Sequence, residues 1–418
     1  MLETATIGFA SGAALVGAVT VKAVTSLRGL RRREADAIDQ TEQRRAAFAN
    51  QLQAALHYAR ASHPDLKAWT GTRPFRVSAV VDESVDCRSF YLMPEDGRPL
   101  PRFEPGQYLT FHLPSGDPAR PTVRCYSLSE RPREDFYRVT IKRAAAPADR
   151  NDAPPGRGSN YFHRDIHPGS RLEAEAPQGE FFLDPTDSLP VVLVAGGIGV
   201  TPMMSMASYL IHRRDSRPVY FFAGFRNSRE QPFRARLAEF RAETPSFRVD
   251  VSYSRPLASD LAGLDFDHRG YVNVARMRRV LPANNFRFYV CGPPGMMESV
   301  VPELLEWGVP AEHVRFEAFG PATVRGLSRG ATSAPCDVQI ARSGRAVRWT
   351  GQEASLLELA EQNGVRLDSG CRAGNCGQCR LMIAAGRVAH SKPPGVALVD
   401  GECLACVARP QGDVVVEA

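Results

Sequence analysis

The 418-residue chain has no block of Lys and Arg interleaved with aromatic side chains, although its formal net charge is +6. Its positive charge is spread along the chain, which excludes nucleic-acid binding. A disulfide framework is also missing: Cys87, Cys125, Cys291, Cys336 and Cys403 are scattered singly. That excludes a stapled secreted domain and fits a reducing compartment. No charge lies between Ala5 and Val21, and no basic residue precedes that run, where a cleaved signal peptide would carry one. Length and composition, with 43% hydrophobic and 23% charged residues, suit two to four globular domains.

The uncharged run leads into Lys22 and then Arg28, Arg31, Arg32 and Arg33. As a helix the run would be ~25 Å long against the ~30 Å of a bilayer core, with Lys22 able to snorkel. The expectation is an uncleaved membrane anchor over 1–33 with its C-terminal side in the cytoplasm. Gly8 and Gly12 would form a small-residue packing pair. The alternative is an Ala/Gly-rich helix packed on protein in a cytoplasmic chain. Residues 34–71 read as a helical spacer, ended by Pro64 and Gly71-Thr-Arg-Pro74.

Near the other end, Cys371, Cys376, Cys379 and Cys406 fall in a C-x4-C-x2-C…C pattern, the ligand spacing of a plant-type [2Fe-2S] cluster. Gly370, Gly374 and Gly377 let backbone N–H groups of the loop turn toward the sulfurs. Cys403 lies three residues before Cys406 and is a rival fourth ligand.

Between Phe75 and Glu175 six short runs rich in Val, Phe, Tyr and Thr, without long helices, predict a small antiparallel barrel. In Arg124-Cys-Tyr-Ser127 strand alternation puts Arg124 and Tyr126 on one face and Ser127 on the other. This offers a cation for phosphate, a ring for stacking and a hydroxyl. Further on, the apolar run Leu189 to Ala195 predicts a buried parallel strand, followed by Gly196-Gly-Ile-Gly-Val-Thr-Pro202 and a helix. This loop is not a G-x-G-x-x-G fingerprint, because Pro202 stands in place of the third glycine. Strands at Val219, Arg248 and Phe286 alternate with helical segments, as a parallel α/β sheet requires.

These motifs, in this order, resemble the ferredoxin–NADP reductase superfamily with a C-terminal plant-type ferredoxin domain, the arrangement of oxygenase and desaturase reductases. The resemblance covers residues 72–418. Arg124-Cys-Tyr-Ser127 matches the flavin motif R-x-Y-S, Pro105-Gly-Gln-Tyr108 a strand entry, and Gly156 to Ser159 the G-x-x-S segment. It implies Arg124 on the flavin phosphates, Tyr126 against the flavin, Ser127 near its N5, and Gly158, Ser159 and Asn160 at the pyrophosphate. The run Gly158-Ser-Asn-Tyr-Phe-His163 is closer to FAD-binding flavohaemoglobin reductases than to FMN enzymes, so FAD is expected over FMN. Gly196, Gly197, Gly199, Thr201 and Pro202 would form the nicotinamide loop, Cys291 and Gly292 of a C-G-P-P loop would lie near the nicotinamide, Glu317 would stand beside it, and Phe319 would lie over the flavin. Cys406, followed by a turn ending in Pro410 and Asp413, matches the last ferredoxin ligand, which leaves Cys403 as a core residue.

The implied fold is multidomain: a flavin-binding antiparallel β-barrel at 72–186, an α/β parallel-sheet NAD(P)-binding domain at 187–320, a Gly/Ser/Arg-rich linker at 321–333 and a β-grasp [2Fe-2S] domain at 334–418. The implied activity is electron transfer from NADH or NADPH, through FAD and the cluster, to a protein acceptor such as an oxygenase, a hydroxylase or a membrane desaturase. A slow-turnover redox sensor or assembly subunit holding the same cofactors is the alternative. The last domain has nine acidic and nine basic residues, so long-range charge is not expected to select its partner.

Overall fold

The computed structural model describes residues 69–115, 122–145, 156–243, 246–319, 334–392, 394–396 and 398–417. The expected anchor, nearly all of the spacer and the linker at 321–333 lie outside the described residues. Among the described residues no helix is long and apolar enough to cross a membrane. All of them belong to one compact unit, Ala68–Ala418.

Alternation of buried and open positions drives the first sheet. In β1 (Thr72–Ser84) Phe75 and Val77 point inward while their neighbours are more open. β1 begins before Phe75, where the first run was expected to start, and β-bulges after Val77 and Asp82 bend it. With β2 (Cys87–Pro94), β3 (Tyr108–Leu113), β4 (Thr122–Ser127), β5 (Tyr137–Lys142) and β6 (Arg171–Glu175) it forms an antiparallel sheet in the order β4-β3-β6-β1-β2-β5. A bridge between Leu128 and Val139, with Ser129 N–H donating to the Arg138 carbonyl at 2.8 Å, joins the outer strands β4 and β5 and closes the barrel. The short helix α1 (Arg157–Asp165) is anchored by Phe162, whose ring meets Phe90, Phe111 and Tyr126 at centroid distances of 5.1, 5.3 and 5.2 Å. Edge-on aromatic packing of this kind fixes where the N-terminus of α1 faces β4.

The second sheet is entirely parallel, in the order β10-β9-β8-β7-β11-β12. Its strands are β7 (Val191–Gly196), β8 (Val219–Phe225), β9 (Phe247–Tyr253), β10 (His268–Arg269), β11 (Arg287–Gly292) and β12 (Val314–Ala318). Helices α2 (Val200–His212), α3 (Arg234–Glu243), α4 (Val274–Val280) and α5 (Pro294–Glu306) connect them. The order reverses between β7 and β11, and crevices at such reversals are where open α/β sheets bind ligands. Sequence periodicity did not reveal β10 or β12. In Val314-Arg-Phe-Glu-Ala318 apolar and charged residues alternate at a sheet edge, unlike the continuous apolar run of β7.

The third body has a mixed sheet in the order β14-β13-β19-β15-β17, from β13 (Cys336–Ile340), β14 (Arg345–Trp349), β15 (Arg380–Ala385), β17 (Glu402–Leu404) and β19 (Val414–Glu417). β13 pairs antiparallel with β14 and parallel with β19, as in a β-grasp. Helix α6 (Leu356–Gln362), capped by Ser355, buries Leu356, Leu357, Leu359 and Ala360 in this core. A small ribbon of β16 (Val388–His390) and β18 (Ala408–Pro410) lies outside the main sheet. The cysteine loop runs from the end of α6 into β15.

Phe162→Ala removes the ring that holds α1 to the barrel and is expected to cost ~3–5 kcal/mol. Amide hydrogen exchange checks it: protection should fall over α1 and β4 and stay unchanged over β7 and β11.

Candidate functional site

The cysteine loop supplies donors to its own sulfurs. Cys371 Sγ accepts from the N–H groups of Ala373, Asn375 and Cys376 at 3.4, 3.3 and 3.3 Å. Cys376 Sγ accepts from Cys371 N–H at 3.2 Å, and Cys406 Sγ from Gly374 N–H at 3.2 Å. Gly374 and Gly377 have φ of 73°, which lets the chain wrap the sulfurs. A Cβ on Gly370 would stand 2.7 Å from Cys376 Sγ. Cys379 and Cys406 hydrogen-bond to each other, which holds the Cys379 thiol below its ordinary range. Two thiol pairs facing one N–H-lined loop match the thiolate donor set of a [2Fe-2S] cluster. Cys403 lies on β17 within the apolar core, where burial pushes its thiol up to about 12.

Around the barrel's motif strand, Gly158 is required by close approach: a Cβ there would meet Arg124 Cγ at 2.7 Å and Tyr126 Oη at 2.8 Å. Arg124 and Tyr126 thus meet the N-terminal turn of α1, bringing a cation, a ring and free helix N–H groups together as a phosphate-bearing flavin needs. Ser159 and Asn160 brace that turn. Ser159 Oγ accepts from Ala144 N–H at 3.1 Å, and Asn160 Nδ2 donates to the Ala144 carbonyl at 2.8 Å. Ser127 is buried at the end of β4.

At the β7/β11 reversal, any side chain on Gly199 would overlap the Cys291 carbonyl, and one on Gly196 would stand 2.7 Å from Pro293. The two loops are therefore in backbone contact. Gly197 has φ of 53°, Thr201 Oγ1 donates to the Ile198 carbonyl at 2.9 Å, and Pro202 lies in the first turn of α2. Gly292 ends β11, and its register pairs Cys291 with Glu317 on β12. Cys291 is fully buried, so burial pushes its thiol up and keeps it neutral. Phe319 packs half-buried on the core of this domain.

Glu317 is 4% exposed. Burial raises its carboxyl to about 7, against the opposing pull of Lys392 and a hydrogen bond from Asn375. Oε1 accepts from Asn375 Nδ2 at 3.1 Å, while Oε2 has no partner among the described residues. An unpaired buried acceptor beside a buried thiol suits the carboxamide of a nicotinamide.

The structure also brings in residues that sequence reasoning missed. Sγ of Cys125 lies within 4.8 Å of those of Cys371 and Cys376. Arg124 donates to the Gly370 carbonyl at 3.0 Å, Tyr108 Oη to the Asn375 carbonyl at 2.7 Å, and Lys392 Nζ to Asn375 Oδ1 at 2.6 Å. Cys125 was read from the sequence only as a scattered cysteine, because no local signal says what its face of the strand meets.

Residues 193–301 match the oxidoreductase NAD-binding domain and residues 338–411 the 2Fe-2S iron-sulfur cluster binding domain. The flavohaem-like FAD/NAD-binding domain of nitric oxide dioxygenase from Vibrio cholerae is 32% identical, with a TM-score of 0.53, over 60% of this chain and 99% of that one. The chain belongs to the ferredoxin–NADP reductase superfamily. Phthalate dioxygenase reductase, described as a modular structure for electron transfer from pyridine nucleotides to [2Fe-2S], is 26% identical with a TM-score of 0.51, over 83% of this chain and 98% of that one. A flavohaemoprotein of Rhodopirellula baltica is 40% identical over 269 residues, 64% of this chain and 64% of that protein. The chain thus spans less than two-thirds of that curated relative. It is an NAD(P)H oxidoreductase with FAD and a [2Fe-2S] cluster as its cofactors.

Two expectations arise for this reductase. Cys406→Ser should remove the visible spectrum of the cluster, and Cys403→Ser should leave it intact; the reverse pair of spectra would exchange the two roles. Glu317 has its folded-state pKa raised, so the stability it contributes is complete below about 4.5 and is lost as pH rises through about 7. Glu317→Gln keeps an acceptor for Asn375 and should flatten that part of the stability profile, read as urea midpoints between pH 5 and pH 8.

Proposed function

We propose that this reductase passes electrons from NAD(P)H to a protein acceptor, a terminal oxygenase, hydroxylase or desaturase, through three modules: a flavin barrel at 72–186, a nicotinamide domain at 187–320 and a [2Fe-2S] domain at 334–418. The observation that carries this reading is the seating of the cysteine loop on both other modules: Asn375 bonds Tyr108 of the barrel and Glu317 of the nicotinamide domain. A device for relaying electrons needs such convergence, whereas domains merely strung together do not. The likeness to phthalate dioxygenase reductase supports an oxygenase as acceptor, as does that to a cytochrome P450 reductase from Amycolatopsis, 27% identical with a TM-score of 0.51 over 60% of this chain.

A bound flavin takes two electrons as hydride and releases them singly, and a [2Fe-2S] cluster carries one at a time. Around them the chain's residues bind and orient. Arg124 supplies the cation for the flavin phosphates, the α1 N–H groups with Gly158, Ser159 and Asn160 the pyrophosphate cradle, Tyr126 the stacking ring and Ser127 a hydroxyl near N5. Gly196, Gly197, Gly199, Thr201, Pro202 and Gly292 admit the dinucleotide by close backbone approach. Cys291 offers a neutral, apolar thiol wall, Glu317 accepts a hydrogen bond, and Phe319 covers the flavin. Cys371, Cys376, Cys379 and Cys406 hold iron. For each NAD(P)H oxidised to NAD(P)+ with loss of one proton, two one-electron acceptors are reduced.

The test separates acceptors by size. Cys376→Ala should abolish most NAD(P)H-dependent cytochrome c reduction while ferricyanide reduction continues, and replacing Arg124 and Tyr126 together should impair both. A cluster-free Cys376→Ala protein that reduces cytochrome c at the wild-type rate, with superoxide scavenged, would sink the reading.

A further inference from the structure

Lys392 is only 9% exposed, although it carries a flexible, strongly hydrated ammonium. Burying such a charge is costly unless it is compensated. Its Nζ meets Asn375 Oδ1 at 2.6 Å, and the Nδ2 of the same amide meets Glu317 Oε1 at 3.1 Å. The Asn375 amide is therefore polarised between a cation of the [2Fe-2S] module and a carboxyl of the nicotinamide domain. Its backbone is held as well: the carbonyl by Tyr108 Oη, and the N–H by Cys371 Sγ at 3.3 Å. Asn375 directly precedes Cys376, so a shift at this residue moves two of the cysteines assigned to iron.

We propose that Lys392, acting through the Asn375 side chain, is a positioning residue that seats the cysteine loop on Tyr108 and Glu317 and so sets the rate of electron transfer from flavin to cluster. This rests on the electron-relay reading above and adds the residue that holds the relay together. Lys392 reaches Glu317 only through Asn375, and Tyr108 holds the Asn375 carbonyl, so altering either should slow hydride uptake less than cluster reduction. The contact is also consistent with a module of balanced charge: a buried cation at the seam, rather than a charged surface, provides the docking specificity.

The experiment uses full-length, cofactor-loaded protein with Lys392→Met, Lys392→Arg and Tyr108→Phe. After rapid mixing with NAD(P)H, flavin bleaching in Lys392→Met should stay within about twofold of wild type while cluster bleaching slows about tenfold. Lys392→Arg should recover most of that rate, and Tyr108→Phe should slow cluster bleaching less but in the same direction. Amide exchange gives a readout independent of turnover: in Lys392→Met, residues 371–376 and β12 should lose protection together, with β13 and β14 unchanged. Wild-type cluster bleaching and wild-type exchange in Lys392→Met overturn the proposal. So does a loss of protection spread through β13 and β14 in that variant, if Tyr108→Phe leaves both readouts unaltered. Should wild-type flavin fail to bleach with NAD(P)H, the relay reading itself falls, and exchange alone then decides the docking contact.

Discussion

Everything in this structure turns on keeping negative charge buried where three modules meet. Thiolates and a carboxyl are poor candidates for an apolar interior, and each unmatched charge there costs several kcal/mol. The chain answers with many small contributions rather than one counter-ion. Backbone N–H groups of Ala373, Gly374, Asn375 and Cys376 face sulfur, and Lys392 faces the amide that faces Glu317. Donors on the backbone are the economical choice because they are fixed by the loop's own conformation and bring no net charge. The loop must then have a shape that ordinary residues resist, which is why Gly374 and Gly377 lie in the left-handed region.

The same preference for backbone approach organises the nicotinamide side. Gly199 lies directly against the Cys291 carbonyl, so the loops after β7 and β11 leave a crevice walled by main chain at the reversal of strand order. Side chains enter only where chemistry needs them. Pairing of β11 with β12 sets Cys291 beside Glu317 at the edge of the sheet. Because Glu317 also receives Asn375, the place where hydride would leave nicotinamide and the loop that would receive electrons share one carboxyl.

The cofactor motifs were legible in the sequence because their chemistry is local. Four cysteines at fixed spacing, Arg124 to Ser127 on one strand and the glycines after an apolar run each need only a few consecutive residues to declare themselves. The barrel and the parallel sheet followed from short runs rich in Val, Phe, Tyr and Thr and from the continuous apolar character of β7, whereas the β-grasp sheet was implied only by the family resemblance. The edge strand β12 did not, since alternating charge at a sheet edge looks like an exposed loop. Cys125, Asn375, Tyr108 and Lys392 were illegible as site residues for a different reason. Tyr108 and Asn375 are 267 positions apart, and Asn375 and Glu317 are 58 apart, so their meeting depends on how separate domains pack.

That difference bears on how such a chain can be rearranged without losing function. Motifs that bind a cofactor within one module survive when modules are joined in new orders, because every donor they need travels with them. A contact such as Lys392–Asn375–Glu317 does not travel, since its energy exists only when a cation from one module and a carboxyl from another are buried together. Neither charge is satisfactory alone: Glu317 keeps one oxygen without a partner even when docked, and Lys392 would be stranded in a low-dielectric interior if its partner domain were exchanged. The docking contact therefore discriminates against foreign modules by the penalty of mismatch more than by the strength of the match, which is how buried polar groups confer specificity.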